Sequence, residues 1–322
     1  MKLQVVALRL EADQIISVTL RDPDGNRLPP WEPGAHLSLT LPSGRIRQYS
    51  LCGQREDRDS YTVAVLKVGD GRGGSREIHE RLRIGELLET GEPRNNFVLE
   101  PAPHYLFLAG GIGITPILAM IDALRAAGNH SYQLRYGART RTAMAFTDRI
   151  LTAGSVADGA GGSEAVQLVA HDEAGPVDIA AAMAVSPPGT RVYCCGPPAM
   201  LAAVQEISTG FPELTVHFER FSAAAPETSG GDDESFEVEL ARTGTTVTVS
   251  AGQSVLDAVL EVVPDAPYSC TAGFCGTCET KVLAGRVSHR DDLLTADEHA
   301  SNTSMMICVS RSEGGTKLTL DL

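Results

Sequence analysis

Four cysteines near the end of the sequence have a spacing that suits metal binding. Cys270, Cys275 and Cys278 form the pattern C-x4-C-x2-C, and Cys308 follows thirty residues later. This spacing is typical of a [2Fe-2S] cluster, in which two irons need four thiolates and one tight loop supplies three of them. Gly273 lies inside that loop and permits a backbone conformation that other residues avoid. The pattern predicts a carrier of single electrons.

Two other interpretations of these cysteines remain open at the level of the sequence. A structural zinc ion would more naturally use two C-x2-C pairs or a mixture of cysteine and histidine, and the sequence has one such pair. Disulfide bonds would require an oxidising compartment, which nothing earlier in the chain supports. We therefore interpret all four cysteines as ligands of one cluster.

Length and composition limit what surrounds this loop. The chain has 322 residues, which suits two or three domains, and its hydrophobic content of 43% is that of a soluble globular protein. No apolar run approaches the length of a membrane span, so no membrane association is expected. The first residues alternate apolar and polar side chains and do not resemble a secretory signal, which predicts a cytoplasmic location. Cys52, Cys194 and Cys195 are then expected to be free thiols.

The charge of the chain is strongly negative. A net charge of −14 argues against nucleic acid as a partner, because its phosphates would be repelled. From Phe236 to the end there are 12 acidic and 6 basic residues. An acidic surface around a redox loop would steer a positively charged partner, although ordinary solubility explains the acidity equally well.

The first 100 residues are predicted to form an antiparallel β-barrel. Short alternating runs rich in β-branched residues are separated by turn clusters, and evenly spaced strands of this kind favour a small barrel. The predicted strands are Leu3–Leu10, Ile15–Leu20, His36–Leu41, a strand that closes with Arg47, Gln48, Tyr49, Ser50 and Leu51, and Tyr61–Val68.

Two stretches of this barrel could bind a cofactor. The strand end from Arg47 to Leu51 brings together a cation, an aromatic ring and a hydroxyl, which suits a planar heterocycle and a phosphate. The turn from Gly71 to Ser75, which includes Gly73 and Gly74, precedes a predicted helix over 76–82. Free N–H groups at the start of a helix form an anion site. Each stretch alone is a weak signal.

From residue 101 to 222 the pattern changes to the alternating strands and helices of an α/β parallel sheet. The apolar strand Tyr105–Ala109 runs into a glycine loop and then into an amphipathic helix, with Thr115 as its expected N-cap and Pro116 at its first position. Strand, glycine loop and helix is the order that a pyrophosphate site requires. The loop departs from the G-x-G-x-x-G fingerprint because Pro116 stands where a third glycine is due. Its glycines are Gly110, Gly111 and Gly113.

These motifs together resemble the ferredoxin-NADP reductase superfamily. Arg47 to Leu51 is similar to its R-x-Y-S motif, and Gly71 to Ser75 resembles the phosphate-binding segment of its phthalate dioxygenase reductase branch. The loop over 110–116 resembles G-G-x-G-x-T-P, and the stretch over 192–200, with Cys195, Gly196 and Pro197, resembles the turn that closes over a nicotinamide. The end of this domain, 216–221, resembles the motif H-x-E-x-F.

The resemblance implies bound cofactors. It implies a flavin, FMN more than FAD, with Tyr49 against the isoalloxazine and Ser50 close to its N5. It implies that Thr115 and Cys195 lie near a nicotinamide ring, and that Phe221 lies near the flavin. The phosphate is expected at Arg47, Gly74 and Ser75, and Leu51 and Gly73 belong to the same two motifs.

The choice of nucleotide is less clear from the residues. An acid at the end of the second strand would bind the ribose 2′-hydroxyl of NADH, but this chain offers Arg139 and Arg141, a residue type that could meet a 2′-phosphate. Relatives in the branch generally use NADH. We expect NADH and leave NADPH possible.

The remainder of the chain is predicted to be a tether and a third domain. Residues 223–235 contain no large apolar side chain and cannot fold alone. Residues 236–322 open with a hairpin over 236–250, followed by a helix over 254–263, the cysteine loop and a strand over 279–283. This mixture resembles the β-grasp ferredoxin fold, an α+β domain. The resemblance then covers nearly the whole chain.

The order flavin, nucleotide, ferredoxin predicts a function. We expect a reductase component that passes electrons from NADH through FMN and a [2Fe-2S] cluster, one at a time, to a Rieske non-haem iron oxygenase or a cytochrome P450. Two alternatives are a flavin reductase that releases reduced flavin and a zinc-stabilised nucleotide-binding module. The residues expected closest to the reacting atoms are Ser50, Thr115 and Cys195.

Overall fold

The computed structural model describes residues 1–69, 73–152, 166–221, 234–268, 270, 271, 273, 276–291 and 293–322. The chain divides into two compact units, Met1–Phe221 and Ser222–Leu322. Gly71, Cys275 and most of the predicted tether over 223–235 lie outside the described residues. None of the described helices has the length and apolar character needed to cross a membrane.

An antiparallel barrel forms the first part of the amino-terminal unit, as the alternation of apolar residues predicted. Its strands are β1 Lys2–Ala12, β2 Ile15–Arg21, β3 Ala35–Thr40, β4 Ile46–Ser50, β5 Tyr61–Leu66, β6 Leu87–Thr90 and β7 Arg94–Asn95. They pair in the order β4-β3-β6-β1-β2-β5, with β7 on β3. A bridge between Leu51 and Val63 brings the end of β4 to β5. The inward residues, such as Leu3, Leu37 and Val63, are fully buried.

A five-stranded parallel sheet forms the second part of this unit. Its strands are β8 Tyr105–Gly110, β9 Tyr132–Ala138, β10 Val166–Ala170, β11 Arg191–Cys195 and β12 Thr215–Glu219. The order is β10-β9-β8-β11-β12. Strand β8 is buried at every position, since helices cover both faces of such a sheet. The central β8 has β9 on one side and β11 on the other, so the strand order reverses beside it.

The described residues of this unit form six α-helices. They are α1 Gly74–Arg81, α2 Ile114–Ala126, α3 Thr147–Thr152, α4 His171–Ala174, α5 Ile179–Ala184 and α6 Pro198–Ser208. Helix α2 packs between the sheet and the barrel, because its Ile117 and Leu118 join a core shared with Ile15 and Cys52 of the barrel. The two amino-terminal domains therefore share buried apolar surface.

The expected N-cap of α2 was wrong. A 3-10 turn over Gly111–Gly113 leads directly into the helix, so Thr115 lies inside it. Its hydroxyl donates a hydrogen bond back to the carbonyl of Ile112 at 3.0 Å, as hydroxyls within helices do, and caps no N–H group. The end of the helix follows the glycine signal, since Gly128 adopts a left-handed φ of 71° just after it.

The carboxyl-terminal unit combines a mixed sheet with short helices. Its strands are β13 Phe236–Leu240, β14 Thr245–Val249, β15 Glu279–Ala284, β16 Val287–Ser288, β17 Ser304–Met306, β18 Arg311–Ser312 and β19 Leu318–Leu320, and its helices are α7 Val255–Leu260 and α8 Ala296–Ser301. The main sheet has the order β14-β13-β19-β15-β17. The predicted hairpin is confirmed as β13 and β14, and Ser254 caps α7 through a reciprocal bond with Asp257.

Candidate functional site

We call the region outside the carboxyl ends of β8 and β11 the crevice. In an open parallel sheet, ligands bind outside the strand ends where the strand order reverses, and β8 and β11 lie at that point. The glycine loop follows β8, and Gly196 and Pro197 follow Cys195 at the end of β11. Both sequence motifs assigned to the nucleotide therefore meet at one edge of the sheet.

The glycines of these two loops allow their backbones to touch. A Cβ atom on Gly113 would lie 2.1 Å from the carbonyl oxygen of Cys195, and one on Gly110 would lie 2.5 Å from Cδ of Pro197. Both distances are impossible for real atoms, so only glycine lets the loops close together. The φ of Gly113 is an ordinary −61°, which shows that steric space alone explains this glycine.

Thr115 and Cys195 line this region from buried positions. Thr115 is 1% exposed and Cys195 is fully buried. Burial raises the pKa of the Cys195 thiol well above its usual value, with smaller contributions from Glu219 and Cys194. The thiol therefore stays protonated and is no nucleophile. The neighbouring Cys194 packs into the core on the other face of the sheet, where burial raises its pKa to about 12.

A polar contact joins the barrel to the crevice. Ser50, at the end of β4, donates a hydrogen bond to Oε2 of Glu219, at the end of β12, at 3.4 Å. Burial raises the pKa of Glu219 to about 8, and the bond from Ser50 offsets only part of that effect. Sequence reasoning assigned no role to Glu219, although it is the acid of the H-x-E-x-F motif. The residue pair places the end of the barrel strand beside the nucleotide site.

The start of α1 has the features of a phosphate site. Gly73 precedes the helix in a left-handed conformation with φ of 82°, and no side chain caps the first turn. A Cβ on Gly74 would lie 2.6 Å from Nε of Arg47, so that guanidinium group lies across the helix end. Arg45 lies close to Gly73, with its Cζ 3.9 Å from the Cβ position. Two cations and free helix N–H groups fit a phosphate dianion.

The other residues of these motifs differ in their exposure. Tyr49 is partly buried, and burial raises the pKa of its hydroxyl. Leu51 is fully buried in the barrel core, so its side chain faces away from the solvent and only its backbone is available to a ligand. Ser75 uses its hydroxyl to accept a hydrogen bond from the N–H of Val68 at 3.1 Å. Ser75 therefore also holds the segment before α1.

The two arginines after β9 have different surroundings. Arg141 forms a close ion pair with Glu173, in which Nε lies 2.8 Å from both carboxylate oxygens. That carboxylate stands in α4, just after β10, and neutralises the cation that could have met a 2′-phosphate. Arg139 is exposed, and its carbonyl accepts a bond from Asp172. Phe221 ends the amino-terminal unit and is 41% exposed.

Three of the four predicted cluster ligands converge in the carboxyl-terminal unit. Cys270, Cys278 and Cys308 are at most 7% exposed, and the thiol of Cys308 is within hydrogen-bonding reach of the other two. The bond from Cys270 lowers the pKa of Cys308, but the bond to Cys278 and burial outweigh it and raise the pKa to about 12. The fourth ligand, Cys275, lies outside the described residues.

The loop that carries these thiols has the curled backbone that the sequence predicted. Thr271, Gly273 and Gly276 all have positive φ, of 57°, 78° and 73°. A Cβ on Gly273 would lie 2.7 Å from Val309. Buried thiols gathered by a loop of this shape fit a [2Fe-2S] cluster, because the cluster needs thiolates drawn from several directions. Cys52, Cys194, Cys278 and Cys308 are buried thiols that form no disulfide among the described residues.

An arginine that sequence reasoning missed connects the two amino-terminal domains. Arg149 of α3 donates hydrogen bonds to the carbonyls of Cys52 and Gly53 in the barrel, at 2.6 and 3.2 Å, and pairs with Asp122 of α2. No motif surrounds this residue, so the sequence carries no signal for it. The contact fixes the barrel against the helix that begins at the glycine loop.

Comparison with known proteins agrees with this geometry. Residues 107–206 match the family model of the oxidoreductase NAD-binding domain, and residues 238–313 match that of the 2Fe-2S iron-sulfur cluster binding domain. Phthalate dioxygenase reductase of Burkholderia cepacia is 36% identical, over 100% of this chain and 97% of that protein.

Solved structures also match over the whole chain. One is phthalate dioxygenase reductase, described as a modular structure for electron transfer from pyridine nucleotides to [2Fe-2S], with a TM-score of 0.71, 35% identity and coverage of 98% of that chain. Another is an intact type IV self-sufficient cytochrome P450 monooxygenase, with a TM-score of 0.84 and 42% identity. The chain spans 41% of the length of that P450.

Proposed function

The chain belongs to the phthalate dioxygenase reductase family, and from this premise we propose that it is the reductase component of an oxygenase system. It takes electrons from NADH and passes them singly, through FMN and a [2Fe-2S] cluster, to an oxygenase. The observation that carries the proposal is the contact of Ser50 with Glu219, which joins the flavin motif of the barrel to the nucleotide crevice.

The cofactors supply the redox chemistry. NADH gives up two electrons as a hydride, a [2Fe-2S] cluster accepts one, and FMN when bound exchanges electrons in either number. The residues of this chain bind and position these groups. This division of roles agrees with the state of the Cys195 thiol. The thiol is buried and protonated, so it can contact a bound nucleotide but does not react with it.

The flavin site is proposed at the end of β4 and the start of α1. Arg47, with the first N–H groups of α1 at Gly74 and Ser75, holds the phosphate of FMN. Tyr49 would lie against the ring system of the flavin. Ser50, whose hydroxyl donates a hydrogen bond to Glu219, would stand at the edge of that ring system. Glu219 holds its proton at neutral pH because burial raises its pKa to about 8.

The nucleotide site is proposed at the ends of β8 and β11. The glycine loop with Thr115 and Pro116 faces the turn of Cys195, Gly196 and Pro197, and Phe221 follows at the end of the domain. The pairing of Arg141 with Glu173 favours NADH, because a 2′-phosphate would be repelled by the carboxylate or would have to displace it.

The cluster is proposed to be held by Cys270, Cys275, Cys278 and Cys308. The positive φ of Gly273 and Gly276 turns the loop so that its thiols converge, and backbone N–H groups near the sulfurs tune the potential. We further propose a cytoplasmic location, because Cys52, Cys194, Cys278 and Cys308 are thiols that form no disulfide among the described residues.

The acceptor is proposed to be an oxygenase, either a Rieske non-haem iron enzyme or a cytochrome P450. The family relative is named for a dioxygenase, and the solved P450 carries a region like this chain within one polypeptide. The described unit that carries the cysteines is acidic, with 12 acidic and 6 basic residues after position 235, which favours a partner with a basic docking face.

A cysteine variant tests whether electrons leave the flavin through the cluster. Cys308→Ala should remove the cluster and reduce electron transfer to cytochrome c to background, while NADH still bleaches the flavin. Cys194→Ala is the matched control, because it removes a buried thiol of the amino-terminal unit and should leave both reactions intact. Undiminished cytochrome c reduction by Cys308→Ala would instead indicate a flavin reductase, and a colourless protein that holds zinc would indicate a nucleotide-binding module.

A further inference from the structure

A second set of metal-binding side chains lies in the carboxyl-terminal unit, outside the four cysteines. His289, Asp291 and His299 each offer one donor atom, and the three atoms lie within 4.8 Å of one another. Nδ1 of His289 is 3.6 Å from Oδ1 of Asp291, and Nε2 of His299 is 3.2 Å from Oδ2. The two imidazole rings stack with their centroids 4.3 Å apart.

The backbone holds these three residues in place. His289 and Asp291 follow β16, and His299 stands in α8, whose start is fixed by a reciprocal bond between Thr295 and Glu298. Asn302 ends α8 in a left-handed conformation. Its side chain accepts a bond from Val287 N–H at 2.9 Å and donates one to the Gly285 carbonyl at 2.8 Å. The helix end is thus tied to the strand that leads to His289.

His289 is the residue whose surroundings call for a ligand. Its side chain is 8% exposed, and both ring nitrogens are buried without a hydrogen-bond partner among the described residues. The nearest carboxylate oxygen of Asp291, at 3.6 Å, is beyond hydrogen-bonding range. Buried polar atoms almost always have partners, so an imidazole of this kind needs an explanation such as an ion.

We propose that His289, Asp291 and His299 form a binding site for a divalent transition-metal ion of the zinc class. Zinc bonds of about 2.0–2.2 Å in tetrahedral geometry place neighbouring donor atoms roughly 3.4 Å apart. Each imidazole lies near that distance from one oxygen of the Asp291 carboxylate, His289 at 3.6 Å from Oδ1 and His299 at 3.2 Å from Oδ2. Two imidazoles and a carboxylate are ligands that zinc accepts, and they leave the fourth position to water.

The burial of Asp291 also suits a bound cation. Its side chain is 0% exposed and faces the imidazoles of both His289 and His299. A buried carboxylate is costly unless it is paired with a cation or coordinates a metal.

The carboxylate of Asp291 is also oriented by further donors. It accepts bonds from the N–H groups of Leu293 and Leu294 at 3.3 and 2.9 Å, and from the hydroxyl of Ser310 at 3.3 Å. Such outer partners orient ligands in known metal sites. Asp291 lies against the cysteine loop, since a Cβ on Gly273 would be 3.0 Å from its Cα. An ion here would brace the segment over 289–299 behind that loop.

Zinc titration of the tag-free holoprotein tests this inference. After dialysis against a chelator, with visible absorption used to confirm an intact cluster, ZnCl2 should bind at one ion per chain in calorimetry and metal analysis. His299→Gln should weaken this binding at least about tenfold, because even the loss of an outer partner has such an effect. His130→Gln, which removes an exposed histidine of the other unit, should bind as the wild type does.

Three results would overturn the inference. They are the absence of zinc uptake, equal affinity in the wild type and His299→Gln, and uptake accompanied by a matching loss of iron and visible absorption, which would place zinc at the cysteines. His289→Gln provides a second variant, and its cluster spectrum shows whether the unit has folded.

Discussion

Glu219 is a carboxylic acid that stays protonated at neutral pH. Burial raises its pKa to about 8, from an ordinary value of 4.5. Its contact with Ser50 is then a hydrogen bond between two neutral groups, at the point where the barrel meets the crevice. A buried side chain of this kind makes the free energy of unfolding depend on pH.

The free energy of unfolding should fall as pH rises from about 4.5 to about 8 because of Glu219. In this range the unfolded chain releases the proton and the folded chain keeps it, so higher pH favours unfolding. Glu219→Gln should remove this contribution and flatten the slope. Fluorescence of Trp31, the single tryptophan, reports the unfolding of its own unit in denaturant at each pH. Parallel slopes for both proteins would contradict the argument.

The ion pair of Arg141 and Glu173 predicts a change in nucleotide preference. Glu173→Gln should raise kcat/KM for NADPH relative to NADH by at most about fivefold, since solvent screens an exposed ion pair and keeps its effect small. Steady-state rates with both nucleotides measure the ratio. Arg141→Gln is the control, and it should leave NADPH use as low as in the wild type. An unchanged ratio in Glu173→Gln would show that another group selects the nucleotide.

These residues mark the limit of what the sequence can predict. Three of the four cluster cysteines stand close together in the chain, as do the arginine, tyrosine and serine of the barrel motif, so the spacing within each motif is visible in the sequence. Glu173 meets Arg141 only because β10 pairs beside β9, and Arg149 reaches Cys52 across two domains. Contacts that depend on strand order leave no local pattern.

Helix α1 is the element on which flavin binding depends. It begins at Gly74 after a left-handed Gly73, and the side chain of Arg47 fills the space where a Cβ of Gly74 would stand. The helix is anchored at its first turn because Glu77 accepts a hydrogen bond from the N–H of Ser43 at 2.9 Å. The proposed anion site therefore consists of the amino-terminal end of α1 and the side chain of Arg47.

Gly74→Ala should weaken FMN binding without unfolding the barrel. The added methyl group would force Arg47 from the helix end, and loss of a charge-assisted hydrogen bond of ~1.5–3 kcal/mol corresponds to at least about tenfold in the dissociation constant. Fluorescence titration of the deflavinated protein with FMN measures the effect. Gly69→Ala, which meets nothing within 4 Å, should bind FMN normally. Equal affinities would place the phosphate elsewhere.

Elements with strong periodicity were predicted closely, and short ones were not. Strand β2 and the hairpin of β13 and β14 differ from their predicted bounds by a residue or two, since alternation of buried side chains defines them. Strand β16 has two residues and exists only through its pairing with β18. The start of α2 was misplaced because glycines, which carry no side-chain pattern, form the 3-10 turn before it.

The molecule as a whole consists of two units with separate cores. The barrel and the nucleotide sheet belong to one unit, and the four predicted cluster cysteines belong to the other. Apolar residues of the second unit, such as Val238, Val259 and Leu318, pack among themselves. Each unit therefore has an apolar core of its own.

Cutting the chain between the units should make electron transfer depend on dilution. Fragments 1–221 and 234–322, mixed at equal concentration, should reduce cytochrome c at a rate per molecule that falls in proportion to dilution. The intact chain should keep its rate, because covalent connection of two domains supplies an effective concentration in the millimolar range. Flavin reduction by NADH in fragment 1–221 serves as the control and should not change. A dilution-independent rate in the mixture would indicate a tight complex of the fragments.

The bonds of Arg149 to the barrel carbonyls have a consequence for the ancestry of such chains. A genetic crossover that joined the barrel of one ancestor to the sheet of another would leave this arginine facing a foreign loop. A crossover after Phe221 would break none of these bonds. We therefore expect gene fusion and recombination to add or remove the cysteine-bearing unit as a whole, while the barrel and the nucleotide sheet are inherited together.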